Sequence, residues 1–516
     1  MAISTDSPSV VAGQIDQKAL LLLGWICAIG ATGASLSAIS LVDASESMAL
    51  SSTMRAVCAG AISLTIAATA VPAGLLADRI GRRRLLMWSF VVTGCANLLI
   101  AVVPQAWSYL VGLVLAGLGY GAMGTSAYAY VKRIATGNSL GRALGMLGVY
   151  ISVLTFLANV GGSALANVNW RLLFVVLPIM CLVALALTPR LLPVMETIRG
   201  GAVDWPGIVL LALSIMGLVG GLGRISSPGG QSQGFIALAA SGLCFAAWLF
   251  VESRASSPLL PLGLLRTRLF VAAMIVGLLM NAVMGAAVLG LSDLLQYAQQ
   301  DDVSIAAMLL QPFFVIGSIG GAIAGRFLSR SRPPYLVAGI GAAISAVGFL
   351  WLATTHLGTP YALVLPGMLI AGMGLAATLT AQAQVFVQAA TGDHYGPLTS
   401  LKTTVSQIGS GLGMVLSVVA LQLLTDNGLS RQLTANGIPA SELGTAQQVM
   451  QSFIESGQPP RVADATALLH ASAESFSGAD DLLMLGSAVA CALTAVIAWF
   501  WLRQPAAAEG SASTAR

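Results

Sequence analysis

Charge is the scarcest property of this chain. Only 9% of its 516 residues are Asp, Glu, Lys or Arg, against roughly 25% in a soluble globular domain. So few charges cannot coat a water-soluble fold, so much of the surface must face lipid. Histidine is scarcer still, with three widely spaced residues, His356, His394 and His470. The six cysteines, Cys27, Cys58, Cys95, Cys181, Cys244 and Cys491, each lie inside an apolar run. Such placement argues against a disulfide framework, and no C-x-x-C or Cys/His pairing suggests a metal. No acid pair, Ser/His/Asp set or phosphate-binding glycine loop is present, so neither an enzyme nor a direct ATP user is expected, and no cofactor. The net charge of +4 does not indicate nucleic acid, because the basic residues sit in short gaps between apolar runs. The polar start, with Asp6 and Asp16, leads into an apolar run longer than the ~7–15 residues of a signal-peptide core.

What is abundant is apolar sequence: 57% of the residues are hydrophobic. A helix needs about 20 apolar residues to cross the hydrocarbon. Fourteen segments qualify: 17–42, 53–76, 86–104, 107–131, 143–166, 170–189, 206–223, 233–252, 269–295, 303–327, 334–354, 360–388, 398–424 and 482–502. Helices are expected because a backbone in lipid must satisfy its own hydrogen bonds, and the runs are too long for barrel strands. With the N-terminus placed in the cytoplasm, nineteen of the 24 basic residues fall on the cytoplasmic side. Only Arg55, Arg171, Arg224, Arg431 and Arg461 fall outside. That asymmetry predicts both termini inside. The segment 425–481 reads as a long acidic outer loop with an amphipathic helix around Leu443–Phe453, and 503–516 as a disordered cytoplasmic tail.

Between spans 2 and 3 stands Gly74-Leu-Leu-Ala-Asp78-Arg79-Ile-Gly81-Arg82-Arg83-Arg84. Glycine permits a tight turn, arginine anchors it at the inner surface, and Asp78 is a carboxylate at the lipid edge beside four arginines. The pattern resembles the loop signature of the major facilitator superfamily. Trp170-Arg171-Leu-Leu-Phe174 with Pro178, Val203-Asp204-Trp205-Pro206-Gly207, and Glu252-Ser-Arg254 through Pro258-Leu-Leu-Pro261 to Leu265-Arg-Thr-Arg268-Leu-Phe270 resemble its fourteen-span drug:proton antiporter branch. The resemblance extends over nearly the whole chain. It implies an all-α membrane fold of two pseudo-symmetric six-helix bundles plus two extra central helices. The corresponding segments are a cytoplasmic stretch 1–16, a first bundle 17–189, two central spans in 190–252 and a second bundle 253–502. Gly321, Gly325, Arg326, Arg330 and Arg332 form a weaker echo of the motif between spans 10 and 11. The resemblance makes Gly74, Asp78, Arg79, Gly81, Arg82 and Arg83 a gating motif. In it, Asp78 meets the positive N-terminal end of span 13 at Gly396-Pro397-Leu398.

The chain also departs from that branch. Gly33 stands where the branch has an aspartate in span 1, and Leu113 where it has an arginine in span 4. Losing one member of a buried pair would strand a charge, whereas losing both is structurally coherent. Leu157-Ala158 replaces the Gly-Pro that precedes the Gly-Gly pair, here Gly161-Gly162. These departures put proton coupling by the usual route in doubt. Intramembrane carboxylates are functional candidates by default, which selects Asp293 late in span 9, ahead of Asp43 and Glu46 at the end of span 1. Asn281, Gln311, Asn159, Tyr128 and Gln382 complete the candidate substrate or proton site, with Gln384 and Gln407 as further polar residues. Gly117, Gly121, Gly124 and Tyr128 share one face of span 4. Few aromatics and no deep acid in the first bundle argue against a specialist for organic cations. The reading is a monomeric secondary transporter in the cytoplasmic (inner) membrane, moving a small amphiphilic drug or metabolite outward, with the proton gradient as candidate energy source. The alternatives are an uncoupled facilitator or lipid translocator on the same fold, and a membrane sensor that does not transport.

Overall fold

The computed structural model describes residues 15–48, 50, 52–135, 139–166, 168–195, 205–225, 230–254, 267–299, 303–356, 358–389, 395–435 and 465–503. Its helices are α1 (Gln17–Ser47), α2 (Ser52–Ile80), α3 (Arg82–Val102), α4 (Ala106–Ile134), α5 (Leu140–Ala166), α6 (Leu173–Leu191), α7 (Trp205–Ile225) and α8 (Gln231–Arg254). There follow α9 (Arg268–Gln299), α10 (Val303–Val315), α11 (Gly317–Ser329), α12 (Pro334–Leu352), α13 (Tyr361–Ala389), α14 (Tyr395–Ala435) and α15 (Ala465–Trp501). No strand occurs among the described residues. Thirteen segments of these helices are long and apolar enough to cross a membrane, and α7 adds a shorter apolar stretch, Val209–Leu218. The fourteen expected spans map onto these, and the chain is a multi-pass membrane protein.

Local chemistry sets the helix ends. Asp16 accepts hydrogen bonds from the Lys18 and Ala19 backbone amides at 3.0 and 3.1 Å, an N-cap for α1. Pro334 opens α12, where its missing N–H would have no partner anyway. Pro72, Pro178 and Pro366 lie inside helices, which is tolerated where neighbouring helices support the freed backbone groups. Span 10, expected unbroken, is interrupted at Ile316 into α10 and α11. Pro312 lies one turn earlier and Gly317 begins the next helix, the sequence ingredients of a kink.

Two apolar cores form. One gathers α1–α6 around Leu20, Leu23, Phe90, Tyr130 and Leu177. Within it Tyr109, Trp170 and Phe174 stack edge to face with centroids 6.0–6.2 Å apart, and the Tyr109 hydroxyl lies 3.2 Å from Ser40 Oγ on α1. The other gathers α9–α15 around Met280, Phe313, Phe349, Met368 and Cys491, with Phe270 against Phe386 at 5.0 Å. The pair α7 and α8 packs on itself and reaches the rest through α2 and α14. Large apolar side chains such as Trp88, Leu182, Leu243 and Val347 stay exposed around the perimeter, as a lipid-facing surface requires.

The ends of several helices correct the expected boundaries. α1 runs to Ser47, so Asp43 and Glu46 stand in its last turns. α14 and α15 take up both flanks of the expected loop 425–481. Its centre, with Leu443–Phe453, lies outside the described residues, as does the tail beyond 503. At ~1.5 Å per residue these helices reach about 60 and 55 Å, well past a hydrocarbon core of ~30 Å. They stay packed together beyond it, with Gly428 beside Ser475. Small residues let helices approach closely in lipid, where no hydrophobic drive separates helix from tail. Gly413 of α14 makes the tightest approach to backbone, since a Cβ there would collide with the Ala282 carbonyl of α9. Gly413→Ala is therefore expected to cost about 1–3 kcal/mol through overpacking, read as a lower unfolding temperature in detergent. Gly486→Ala on α15, with nothing within 4 Å of the added carbon, should leave that temperature unchanged or higher.

Candidate functional site

The Gly74–Arg84 motif is not a loop. Gly74, Asp78 and Arg79 belong to the end of α2, Arg82–Arg84 open α3, and the connection is Gly81 alone. Its φ of 97° and ψ of 129° are open to glycine and cost other residues about 1–3 kcal/mol. Helical hydrogen bonding runs into the joint from both sides: Gly81 N donates to Ala77 O and Leu85 N to Gly81 O, each at 3.0 Å. Crossing the joint, the Arg82 guanidinium donates to the Asp78 carboxylate. Arg82 is 3% exposed and Asp78 12%, so this pair is shielded from the screening that weakens surface pairs. The expected partner of Asp78, the start of span 13, is helical from Tyr395. The side chains of 391–400 lie outside the described residues.

α2 and α4 run parallel, so their C-terminal ends and the start of α5 share the face that carries this motif. On that face the two halves meet. Gly141 of α5 packs on Gly325 and Leu328 of α11, where an added Cβ would come 3.0 Å from the Gly325 carbonyl and 2.6 Å from Leu328 Cβ. One turn on, Gly145 rests on the backbone of Gly321 and Ala322. The Arg142 amide donates to Ser329 Oγ at 2.8 Å, and the Gln384 amide of α13 presses on Gly141. Gly321, Gly325 and Arg326, expected in a turn between spans 10 and 11, lie within α11 instead. Gly325 permits the seam by lacking a side chain toward Gly141, while Gly321 offers its carbonyl to Gly145 and turns its own Cα hydrogen side to Thr380 and Ala376 of α13. Beyond Gly145 the helix loosens: none of residues 148–158 is buried, and nothing approaches Gly148 within 4 Å. The halves are closed on the motif face and less tightly joined along α5 toward the other.

The candidate polar residues fall at three separate helix contacts. Asn159 donates to Ser35 Oγ at 3.0 Å, bridging α5 to α1. Asn281 donates to Gly277 O at 2.7 Å on α9, and Gln382 of α13 packs against that same Gly277. Gln382 is fully buried with neither amide atom hydrogen-bonded. Tyr128 faces the opposite half, with Lys402 Nζ of α14 4.0 Å from its ring centroid. The glycine face of α4 thereby divides: Gly117 and Gly121 pack on α2, while Gly124 approaches Thr403 of α14. Gln311 sits on α10 beside Pro312. Asp293 lies in α9 one residue past the apolar segment ending at Ser292, and its side chain lies outside the described residues. Among the described residues no group of three His, Cys, Asp or Glu could hold a metal.

Three features were not foreseen from sequence. Lys402, counted only among the basic residues of the cytoplasmic side, stands seven residues inside α14 and turns toward Tyr128. Its depth after Gly396-Pro397 was the available signal. At Gly33 the vacancy is filled by Tyr120 of α4, whose hydroxyl occupies the space a side chain would need. Asn97 donates to that hydroxyl at 3.3 Å. Asp480, expected in the outer loop, is 1% exposed on α15 and its carboxylate abuts Gly290 of α9.

The sequence model of the Major Facilitator Superfamily matches residues 21–414. Methyl viologen resistance protein SmvA of Salmonella typhimurium is 25% identical over 446 residues, spanning 85% of this chain and 89% of that one. Multidrug efflux pump LfrA of Mycolicibacterium smegmatis is 25% identical over 450 residues, spanning 84% and 86%. Among solved structures, the proton:xylose symporter XylE superposes with a TM-score of 0.60 at 13% identity, covering 94% of this chain and 96% of that one. At that identity the likeness concerns the fold.

Two substitutions probe the site. Asp78→Asn should leave a folded protein but lower transport about tenfold, the equivalent of about 1.4 kcal/mol, in assays matched for expression. Gly145→Val should hold the seam apart. A cysteine reporter in place of Gln384 should then label with maleimide faster than in the Gly145 parent, counted above the native cysteines.

Proposed function

The chain belongs to the major facilitator superfamily, and from that premise we propose that it exports small amphiphilic molecules by alternating access. It is a secondary active transporter of small molecules and not an enzyme. The observation that carries the mechanism is the α5–α11 seam: backbone lies on backbone at the motif face, while α5 is part-exposed from Gly148 to Ala158. With the motif face at the cytoplasm, as the basic-residue bias favours, this is an outward-facing state. Rocking the halves would break the seam and open the other side. The efflux direction is supported by the likeness to LfrA, a multidrug efflux pump. The inner membrane as location, both termini in the cytoplasm and a functional monomer are further parts of the proposal, the last because one chain supplies both halves.

Substrate chemistry follows from Lys402. A cation faces the opposite half, and no described carboxylate pairs with it. The span 1 position where the resembling branch has an acid is filled by Tyr120. A wall of this kind disfavours organic cations and suits neutral, zwitterionic or anionic amphiphiles. For proton coupling we select Asp480, whose carboxylate lies against Gly290 of α9, and, by position alone, Asp293 three residues further along that helix. Burial of a carboxylate between helices in lipid is costly and marks proton relays in other transporters.

Purified protein in liposomes tests both parts. Flux of a fluorescent anionic amphiphile is expected to rise under an imposed pH gradient, to exceed that of a cationic dye, and to fall about tenfold in Lys402→Gln. Asp480→Asn and Asp293→Asn should transport at a rate that ignores the gradient. Flux indifferent to the gradient in the parent chain rejects proton coupling, and no flux of any amphiphile revives the sensor reading.

A further inference from the structure

Beside the α5–α11 seam lies a cavity of ≈ 620 Å³, walled by the start of α1, the first turns of α5 and the end of α11. Its polar wall holds Gln17 and two arginines, Arg142 from one half and Arg326 from the other. Both arginines are exposed, and neither forms an ion pair with a described residue. Two like charges at one cavity repel, and an anion between them is attracted by both. The remaining wall is mostly apolar, with Ile15, Met146 and the Tyr150 ring.

The depth of the cavity narrows the choice of anion. Arg142 is the third residue of α5 and Arg326 the fourth from the end of α11, so both lie near the level of the lipid headgroups. The neighbouring surface of α11 exposes Ile323 and Phe327, and that of α1 exposes Leu21. These side chains belong in lipid, so the cavity borders the hydrocarbon. A free phosphate would satisfy the arginines and leave Ile15 and Met146 against water. A phospholipid satisfies both, with its phosphate on the guanidiniums and an acyl chain along the apolar wall.

We propose that this cavity binds one acidic phospholipid of the leaflet on the motif face, and that the lipid clamps the two halves in the closed-seam state. The site rests on the membrane placement of the motif face proposed above, and needs no transport to be observed. Purified protein, delipidated in detergent, is titrated with phosphatidylglycerol and with phosphatidylcholine, and bound lipid is counted by native mass spectrometry. One phosphatidylglycerol should be retained at least about tenfold more strongly than phosphatidylcholine. Arg142→Gln with Arg326→Gln should abolish that preference, while Arg142→Lys with Arg326→Lys should keep it in part, which separates lost charge from lost fold. Equal retention in the parent and the glutamine variant overturns the proposal. Displacement by inorganic phosphate at the same concentration also overturns it, because the site would then be one for a free anion. Since the measurement counts lipid and not flux, failure of the transport reading would leave its outcome unaffected.

Discussion

On the motif face the two halves are joined by two helices touching through their backbones. At Gly141 and Gly145 of α5 and Gly325 of α11, the missing side chains let backbone approach backbone. In lipid no solvent drives helices together, so close van der Waals contact must hold them. Such contact falls off within a fraction of an ångström. A separation of about 1 Å would therefore cost the seam up to half of that attraction. The Asp78–Arg82 pair, the Lys402–Tyr128 contact and the arginine-lined cavity all involve the same face of the molecule.

Most of the fold was legible because the bilayer leaves few solutions. Apolar runs of a fixed length have to be helices, and the arginine bias orders them. The errors came where helices outlast the membrane. The many polar residues of 425–435 and 465–481 read as a loop, yet both stretches are helical, and Gly428 of α14 lies beside Ser475 of α15. The motif was legible as a pattern but not as a shape. That its turn would be Gly81 alone follows from a positive φ that sequence only permits. At the candidate site, residue identity was readable and partnership was not. Asn281 and Gln382 are a hundred positions apart and meet at Gly277 only because α9 and α13 cross there.

The missing charges illustrate the limit most directly. Gly33 and Leu113 read as two vacancies, and the structure shows what occupies one of them. Tyr120 enters from α4 and Asn97 from α3, replacing an ionic arrangement with a neutral hydrogen bond. A neutral contact needs no counter-charge when water leaves, so this part of the first half can pack without a proton having to move. That shifts the search for the energy source toward the second half, where Asp480 is buried.

Gly81 has a mechanical meaning as well. A joint of one residue, with helical hydrogen bonding running into it from both sides and an ion pair across it, has no slack. α2 lies against the second half through α14, while α3 presents Trp88 to the surrounding lipid. Torque on one helix is thus delivered to the other. The lipid around Trp88 is therefore mechanically connected, through Gly81 and α2, to α14 of the second half.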